Sequence, residues 1–99
     1  MATQSERKKK SRTMVREPIR YKVIMHNDDF TTMDFVVQVL IEIFHKDPVS
    51  AESIMLSVHK TGRGVVGDYP YDIAVTRVSA AHKRAKAAGF PFRMTIEEV

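Results

Sequence analysis

Hydrophobic and polar side chains alternate in two segments, 19–26 and 92–97, and each alternation predicts a β-strand with one buried side. In the first segment, the predicted buried side holds Ile19, Tyr21, Val23 and Met25. A shorter apolar pair, Val65 and Val66, lies between glycines and predicts a third, short strand. The pattern therefore predicts three strands, separated by longer segments of a different periodicity.

The segment after the first strand predicts a helix that is apolar on almost every side. Thr31, three residues before Asp34, fits the looser form of a capping box and is expected at the N-cap. Six apolar residues at helical spacing predict the core-facing stripe: Met33, Val36, Val37, Leu40, Ile41 and Phe44. Because Phe35, Val39 and Ile43 are apolar as well, the helix needs cover on more than one side, either from the domain around it or from a ligand pocket that it lines.

Two further helices are predicted from their end signals and their apolar spacing. One begins with Asp47 as N-cap and Pro48 as first helical residue, and it ends at Gly62. The other opens at 69–70 and stops at Gly89. Their predicted buried positions are Ala51, Ile54, Met55 and Val58 in the former, and Ala74, Val78, Ala81, Ala85 and Ala88 in the latter. The order β-α-α-β-α-β predicts an α/β two-layer sandwich with a three-stranded sheet and three helices.

The charge is unevenly distributed along the 99 residues. Residues 1–18 hold six basic and two acidic side chains, and so carry the whole net charge of +4, whereas residues 19–99 are electrically balanced. With only Met14 and Val15 as large apolar residues, the first segment is predicted to be a disordered basic extension. Such an arm either binds nucleic acid or acts as a solubilising tail. The folded domain is predicted at 19–99.

Composition and motifs argue against several classes of function. The absence of Cys removes disulfides, thiolate metal sites and Cys nucleophiles, and fits the reducing cytoplasm. No apolar run is long enough to span a membrane. There is no G-x-S-x-G, P-loop or G-x-G-x-x-G motif, and the four His residues lie apart without an H-x-x-x-H pair. We therefore expect no enzyme activity, no cofactor, no metal site and no membrane partner.

Two local features remain as candidates for chemistry. Asn27, Asp28 and Asp29 lie between the first strand and the apolar helix, where a capping turn is the simplest interpretation. Met55 and His59 lie one turn apart on the second helix, where a histidine at the edge of an apolar stripe is commonly structural. Together these residues could ring an apolar cavity that suits a ligand with an amine next to an apolar group.

Several separated motifs closely resemble the ClpS family: YKVIMHNDDFTTMDFV at 21–36, MLSVH at 55–59, Gly62, and YPYDIA at 69–74. The resemblance covers about residues 19–99. It implies an adaptor of the bacterial Clp protease that captures substrates bearing an N-degron, a bulky hydrophobic N-terminal residue such as Phe, Leu, Tyr or Trp. It further implies delivery of these substrates to ClpA, an AAA+ unfoldase.

The resemblance implies a role for each residue of the binding pocket. Asn27, Asp28 and His59 match the residues that hold the α-amino group of the substrate, and Asp29 matches an acid near the following peptide groups. The residues that match the hydrophobic pocket are Thr31, Met33, Val36, Val39, Met55 and Val58. Among them, Met33 matches a gatekeeper that disfavours β-branched side chains.

The resemblance also implies a second contact surface and a role for the extension. The family meets the N-terminal domain of the unfoldase where this sequence has Asp72 and Arg77, although Val75 stands where an acid is frequent. The variable, flexible extension of the family, needed for handover, corresponds to 1–18. The alternative interpretation is a small nucleic-acid-binding protein that uses this basic arm, or a ribosome-binding protein, the latter by analogy of fold alone. Location separates the two interpretations: peptide binding is expected in 27–59, and nucleic-acid binding in 1–18.

Overall fold

The fold is an antiparallel sheet of three strands in the order β2-β1-β3, with three helices. The computed structural model describes residues 19–99, and the predicted extension, 1–18, lies outside the described residues. The elements in chain order are β1 Arg20–His26, α1 Met33–Glu42, α2 Pro48–Thr61, β2 Arg63–Pro70, α3 Tyr71–Ala88 and β3 Arg93–Glu98. The order confirms the predicted β-α-α-β-α-β sandwich.

The central strand, β1, is buried on both faces. Val23 and Met25 point into the core between sheet and helices, as predicted. Ile24, on the opposite face, is outside the predicted buried side of the strand and yet is fully buried. Ile19 was predicted to be buried; instead it precedes the strand and is 61% exposed. Burial along the strand therefore depends on its central position in the sheet and not on alternation alone.

An ion pair across β1 explains the burial of Ile24. The strand register places Arg63 opposite His26 on one side of β1 and Glu97 opposite Lys22 on the other. Since the Arg63 and Glu97 side chains meet at 3.3 Å, they must cross β1 over the residue between these two positions, which is Ile24. On the outer face of the sheet, the Arg63–Glu97 pair and the aliphatic part of the Arg63 side chain thus cover Ile24.

β2 is longer than the short strand that was predicted. It spans eight residues and includes 69–70, which the sequence pattern assigned to the start of the third helix. The partners of β1 jump from Gly67 to Val65, so Val66 is the extra residue of a bulge and turns into the core. Pairing with β1 extends the strand beyond its local apolar signal, and a proline is tolerated at its end because β2 is an edge strand.

The first helix begins one residue later than predicted. Its N-cap is Thr32, whose Oγ1 accepts a hydrogen bond from the Phe35 N–H at 3.2 Å. Thr31, the predicted cap, instead donates its hydroxyl to Asp28. The buried face is also rotated from the predicted stripe, because Met33 is 45% exposed whereas the residues buried from this segment are Phe35, Val39, Leu40 and Phe44. Phe35 packs edge-on against Phe90 and Phe92.

The other two helices end where the sequence predicts. In α2, the Asp47 carboxylate accepts from the Ser50 N–H at 3.1 Å, and Gly62 forms the C-cap with φ of 93°. This left-handed conformation favours glycine. α3 packs against all three strands through Ala74, Val78, Ala81 and Ala85 and stops at Gly89, whereas Ala88 is exposed and not buried as predicted. The small side chains of α3 let it lie close to the sheet.

The bond between His82 and β3 predicts a pH-dependent stability. His82 Nε2 accepts from the Met94 N–H at 2.9 Å, and burial, with Arg93 second, lowers the pKa of His82. The native state therefore binds this proton less readily than the unfolded chain. The contribution of neutral His82 to the free energy of unfolding is therefore fully present above the ordinary histidine pKa of about 6.5. It is lost as the pH falls below that value, through the lower native pKa.

We expect His82→Leu to lower the free energy of unfolding by about 1–2 kcal/mol at pH 7.5, because the Met94 N–H loses its acceptor. The difference from wild type should be smaller at about pH 5, because the unfolded chain then binds a proton that His82 binds less readily in the native state. Urea unfolding at both pH values measures this. His45→Asn is the matched control, because His45 is exposed and its φ of 58° suits asparagine. A His82→Leu difference that stays constant with pH contradicts the assignment.

Candidate functional site

A cavity of about 400 Å³ opens where the end of β1, the start of α1 and the end of α2 meet. Its lining residues are His26, Asn27, Asp28, Asp29, Phe30, Thr31, Thr32, Met33, Val36, Met55, Val58, His59 and Phe92. One part of the wall is polar and comes from the turn after β1 together with His59. The other part is apolar and comes from the two helices.

The Asp28 carboxylate organises the turn between β1 and α1. Its Oδ1 accepts from the backbone N–H groups of Phe30 and Thr31 at 2.8 and 2.7 Å, and its Oδ2 accepts from the Thr31 hydroxyl at 2.7 Å. Burial acts to raise the pKa of Asp28, but the hydrogen bonds from Thr31 and Phe30 outweigh it and lower that pKa. Since a carboxylate has about four acceptor positions, these bonds leave one on Oδ2 for a further donor.

The main chain ties this turn to the end of α2. The Asn27 N–H donates to the Gly62 carbonyl at 2.9 Å. The Gly62 N–H in turn donates to the carbonyl of Val58, in the last turn of α2. Gly64 brings β2 close to the same helix, since a β-carbon there would lie 2.8 Å from Val58 Cγ2. These contacts place His59, in the last turn of α2, on the same cavity as Asn27.

Five of the six residues predicted to form the hydrophobic pocket do line the cavity: Thr31, Met33, Val36, Met55 and Val58. Met55 and Val58 are buried, and Met33 is at the rim with 45% of its surface exposed. The sixth, Val39, is not a lining residue, because it is fully buried in the core one turn further along α1. Asn27, Asp28, Asp29 and His59, the predicted polar residues, all reach the cavity wall.

Four residues that line the cavity are not among the predicted site residues: His26, Phe30, Thr32 and Phe92. His26 Nε2 lies 2.7 Å from the Thr95 hydroxyl, and burial, with Arg93 and Arg63 next, lowers the pKa of His26 against the opposing effect of Glu97. Phe92 precedes β3 and packs against Phe35 while it faces the cavity. His26 directly precedes Asn27, so its position follows from the same turn. Phe92 is brought to the cavity by the pairing of β1 with β3, which places Arg93 opposite His26, and local sequence carries no signal for that proximity.

Asp72 and Arg77 lie on α3, away from the residues that line the cavity. Asp72 is in the first turn of the helix, and the Arg77 guanidinium lies 5.3 Å from the centroid of the Tyr69 ring. Three large apolar side chains close to them in sequence are exposed, namely Tyr71, Ile73 and Val75. This surface therefore combines charge with exposed apolar area.

Within 19–99, the helices are all too short or too polar to cross a membrane. The same residues bring no three His, Asp or Glu side chains together in a group that could hold a metal ion. The cavity is defined by its carboxylate, its amide and imidazole side chains, and its apolar wall.

The described residues thus form a small α/β sandwich with an open cavity whose wall is partly polar and partly apolar. Residues 16–95 match the family described as ATP-dependent Clp protease adaptor protein ClpS. The chain belongs to this ClpS family, and it is therefore an adaptor of the Clp protease that acts in protein degradation and not an enzyme.

Relatives of known name agree with this assignment. The ATP-dependent Clp protease adapter protein ClpS of Oleidesulfovibrio alaskensis is 55% identical over 85 residues, which cover 86% of this chain and 82% of that protein. The adapter of the same name from Wolinella succinogenes is 54% identical over 89 residues, covering 90% and 87%. The structure of Agrobacterium tumefaciens ClpS2 bound to L-phenylalaninamide superposes with a TM-score of 0.80 at 36% identity, and covers 84% of this chain and 100% of that chain.

The hydroxyl of Thr31 offers a test of how the Asp28 carboxylate is held. Thr31→Val keeps the shape of the side chain but removes its bond to Oδ2, so we expect the pKa of Asp28 to rise. The contribution of Asp28 to stability is present above the ordinary Asp pKa of about 3.9 and is lost as pH falls through the lower native value. The variant should lose part of this pH dependence.

Titration of the Asp28 carboxyl carbon by NMR measures the pKa in both proteins. Thr32→Val is the matched control, because it removes the cap of α1 and leaves the bonds to Asp28 in place. An Asp28 pKa that is the same in wild type and Thr31→Val contradicts the role given to the hydroxyl.

Proposed function

We propose that the protein binds the N-terminal residue of substrate proteins when that residue is bulky and hydrophobic, and delivers these substrates to a ClpA-type unfoldase. The expected first residues are Phe, Leu, Tyr and Trp. The observation that carries the proposal is the cavity in which the ionised Asp28 carboxylate lies beside an apolar wall from α1 and α2.

The polar side of the cavity suits an α-amino group. This group is cationic below pH ~8 and offers three donors. The matching acceptors are the remaining position on Asp28 Oδ2, the side-chain oxygen of Asn27, and a ring nitrogen of His59. Each such charge-assisted bond contributes roughly 1.5–3 kcal/mol. Asp29, exposed on the same turn, is near enough to meet the peptide groups that follow.

The apolar side of the cavity suits the first side chain. Val36, Met55 and Val58 offer an apolar surface, and burial of a Leu or Phe side chain adds about 1.5–3 kcal/mol. Met33, at the rim, occupies space near the β-carbon of an incoming residue and so disfavours Val and Ile. The ligand named for the Agrobacterium relative, L-phenylalaninamide, carries the same two groups: a free amine and an apolar ring.

Delivery needs a second surface that stays accessible while the cavity is occupied. The start of α3 meets this need, because it carries Asp72 and Arg77 as well as the exposed side chains of Tyr71, Ile73 and Val75, and none of these residues lines the cavity. We propose this surface as the contact for the N-terminal domain of the unfoldase, and the cytoplasm as the location of the complex. The basic extension at 1–18, outside the described residues, is the proposed delivery segment.

Acetylation of the peptide tests the capture of the amine. It removes the cation and adds bulk at the group that Asp28 is proposed to hold. We expect a Phe-initiated peptide to lose at least about tenfold in affinity when acetylated, which is about 1.4 kcal/mol. Fluorescence anisotropy with a label at the peptide C-terminus measures both forms. Because the change is on the peptide, the fold of the protein is constant, and equal affinities would refute amine capture.

Deletion of residues 1–17 tests the delivery role of the extension. Fully extended, 18 residues reach up to about 60 Å, long enough to leave the domain and enter an unfoldase channel. We expect unchanged peptide affinity and lost degradation of an N-degron substrate by the unfoldase and protease. If degradation persists, the extension is not a delivery segment. Salt-sensitive RNA or DNA binding that disappears on truncation would support the nucleic-acid alternative instead.

A further inference from the structure

Met33 differs from the other methionines of the folded domain in its exposure. Within 19–99, Met25, Met55 and Met94 are buried, with Met55 the most exposed of the three at 8%, whereas 45% of Met33 is exposed. Met33 is the first residue of α1, and it lines both the cavity and a second depression beside it. Its side chain therefore meets solvent on two sides, and a dissolved oxidant reaches its sulfur more readily than that of the three buried methionines.

The composition makes methionine the side chain that a peroxide oxidises most readily here. The chain has six Met residues but no Cys and no Trp. Hydrogen peroxide transfers one oxygen atom to a thioether: the sulfur loses two electrons and gains an S–O bond, the O–O bond breaks, and the other oxygen leaves as water. The product, methionine sulfoxide, is polar where the thioether is apolar. No thiol of this chain competes for the oxidant.

A sulfoxide at Met33 lies next to the apolar side of the cavity. Its neighbours there, Val36, Met55 and Val58, have no side-chain hydrogen-bond donor to offer its oxygen. If a bound side chain covers that oxygen, the oxygen loses water without gaining a partner, which is unfavourable. If the oxygen turns to solvent instead, the Met33 side chain leaves the rim and its contact with the ligand is lost. Both arrangements weaken binding.

We propose that Met33 is a site of reversible oxidation by peroxides and that its sulfoxide weakens the capture of substrates. Methionine sulfoxide reductases restore the thioether, so the modification can be undone. A bound substrate covers the rim, so an occupied cavity is oxidised more slowly than an empty one. The effect on capture rests on the proposed function, whereas the selective oxidation of Met33 follows from its exposure.

The selectivity is tested by graded treatment of the full chain with hydrogen peroxide, followed by mass spectrometry of its proteolytic peptides. We expect Met33 to be oxidised at least about fivefold faster than each of the three buried methionines, in line with its greater exposure. A saturating concentration of a Phe-initiated peptide should slow the reaction at Met33. Equal rates at Met33 and the buried methionines overturn the proposed site.

The consequence is tested by the affinity for a Phe-initiated peptide before and after peroxide treatment. We expect wild type to lose at least about fivefold in affinity. Methionine sulfoxide reductases A and B with a thiol reductant should restore it. Met33→Leu has no sulfur at the rim, so its affinity, compared with its own untreated value, should not change. Met14→Leu is the matched control, because it removes a different methionine and should respond as wild type does.

A loss in Met33→Leu as large as in wild type overturns the proposal, and so does a loss that the reductases do not reverse. A Ser-initiated peptide separates this inference from the proposed function. If the untreated protein prefers Phe to Ser and oxidation of Met33 leaves that affinity unchanged, only this inference is wrong. If Phe has no advantage over Ser, the proposed function fails, and the effect on capture fails with it.

Discussion

The carboxylate of Asp28 holds the chain in the turn on which both walls of the cavity depend. Its three hydrogen bonds, all 2.7–2.8 Å long, stop β1 and leave Thr32 to cap α1. The apolar helix then starts with Met33 at the rim and Val36 inside the cavity. One residue thus sets the geometry of the turn and carries a negative charge in the wall of the cavity. The two roles are compatible because the turn leaves one acceptor position unused.

A second constraint locks that turn to α2. The bond from the Asn27 N–H to the Gly62 carbonyl depends on the left-handed conformation of Gly62, which also ends the helix. His59 lies less than one turn before that end, so the same cap that stops the helix fixes where the imidazole lies. The polar part of the cavity is therefore held by two hydrogen-bonded turns, the turn after β1 and the C-cap of α2.

Much of this arrangement is predictable from local sequence. Asp47, Pro48, Gly62 and Gly89 act through their own backbone preferences, and the helix ends they predict are where the structure has them. Thr31 shows the limit of that reasoning. Its hydroxyl fits a cap by spacing, but the Asp28 carboxylate, four residues before the N-cap Thr32, is the stronger competitor for it.

Features that depend on the sheet could not be predicted in this way. Ile24 is buried because Arg63 and Glu97 meet across its strand, and they are 34 residues apart in sequence. Phe92 reaches the cavity through the pairing of β1 with β3, which places its neighbour Arg93 opposite His26. Val39, which the resemblance assigns to the pocket, is fully buried in the core of this structure.

The central claim is that the cavity recognises the first side chain of a protein. Calorimetric titration of the full chain with peptides that differ only at the first residue tests it most directly. Since burial of a large apolar side chain contributes about 1.5–3 kcal/mol, Phe- and Leu-initiated peptides should bind at least about tenfold more tightly than the Ala-initiated peptide. Equal affinities across the series would contradict the account.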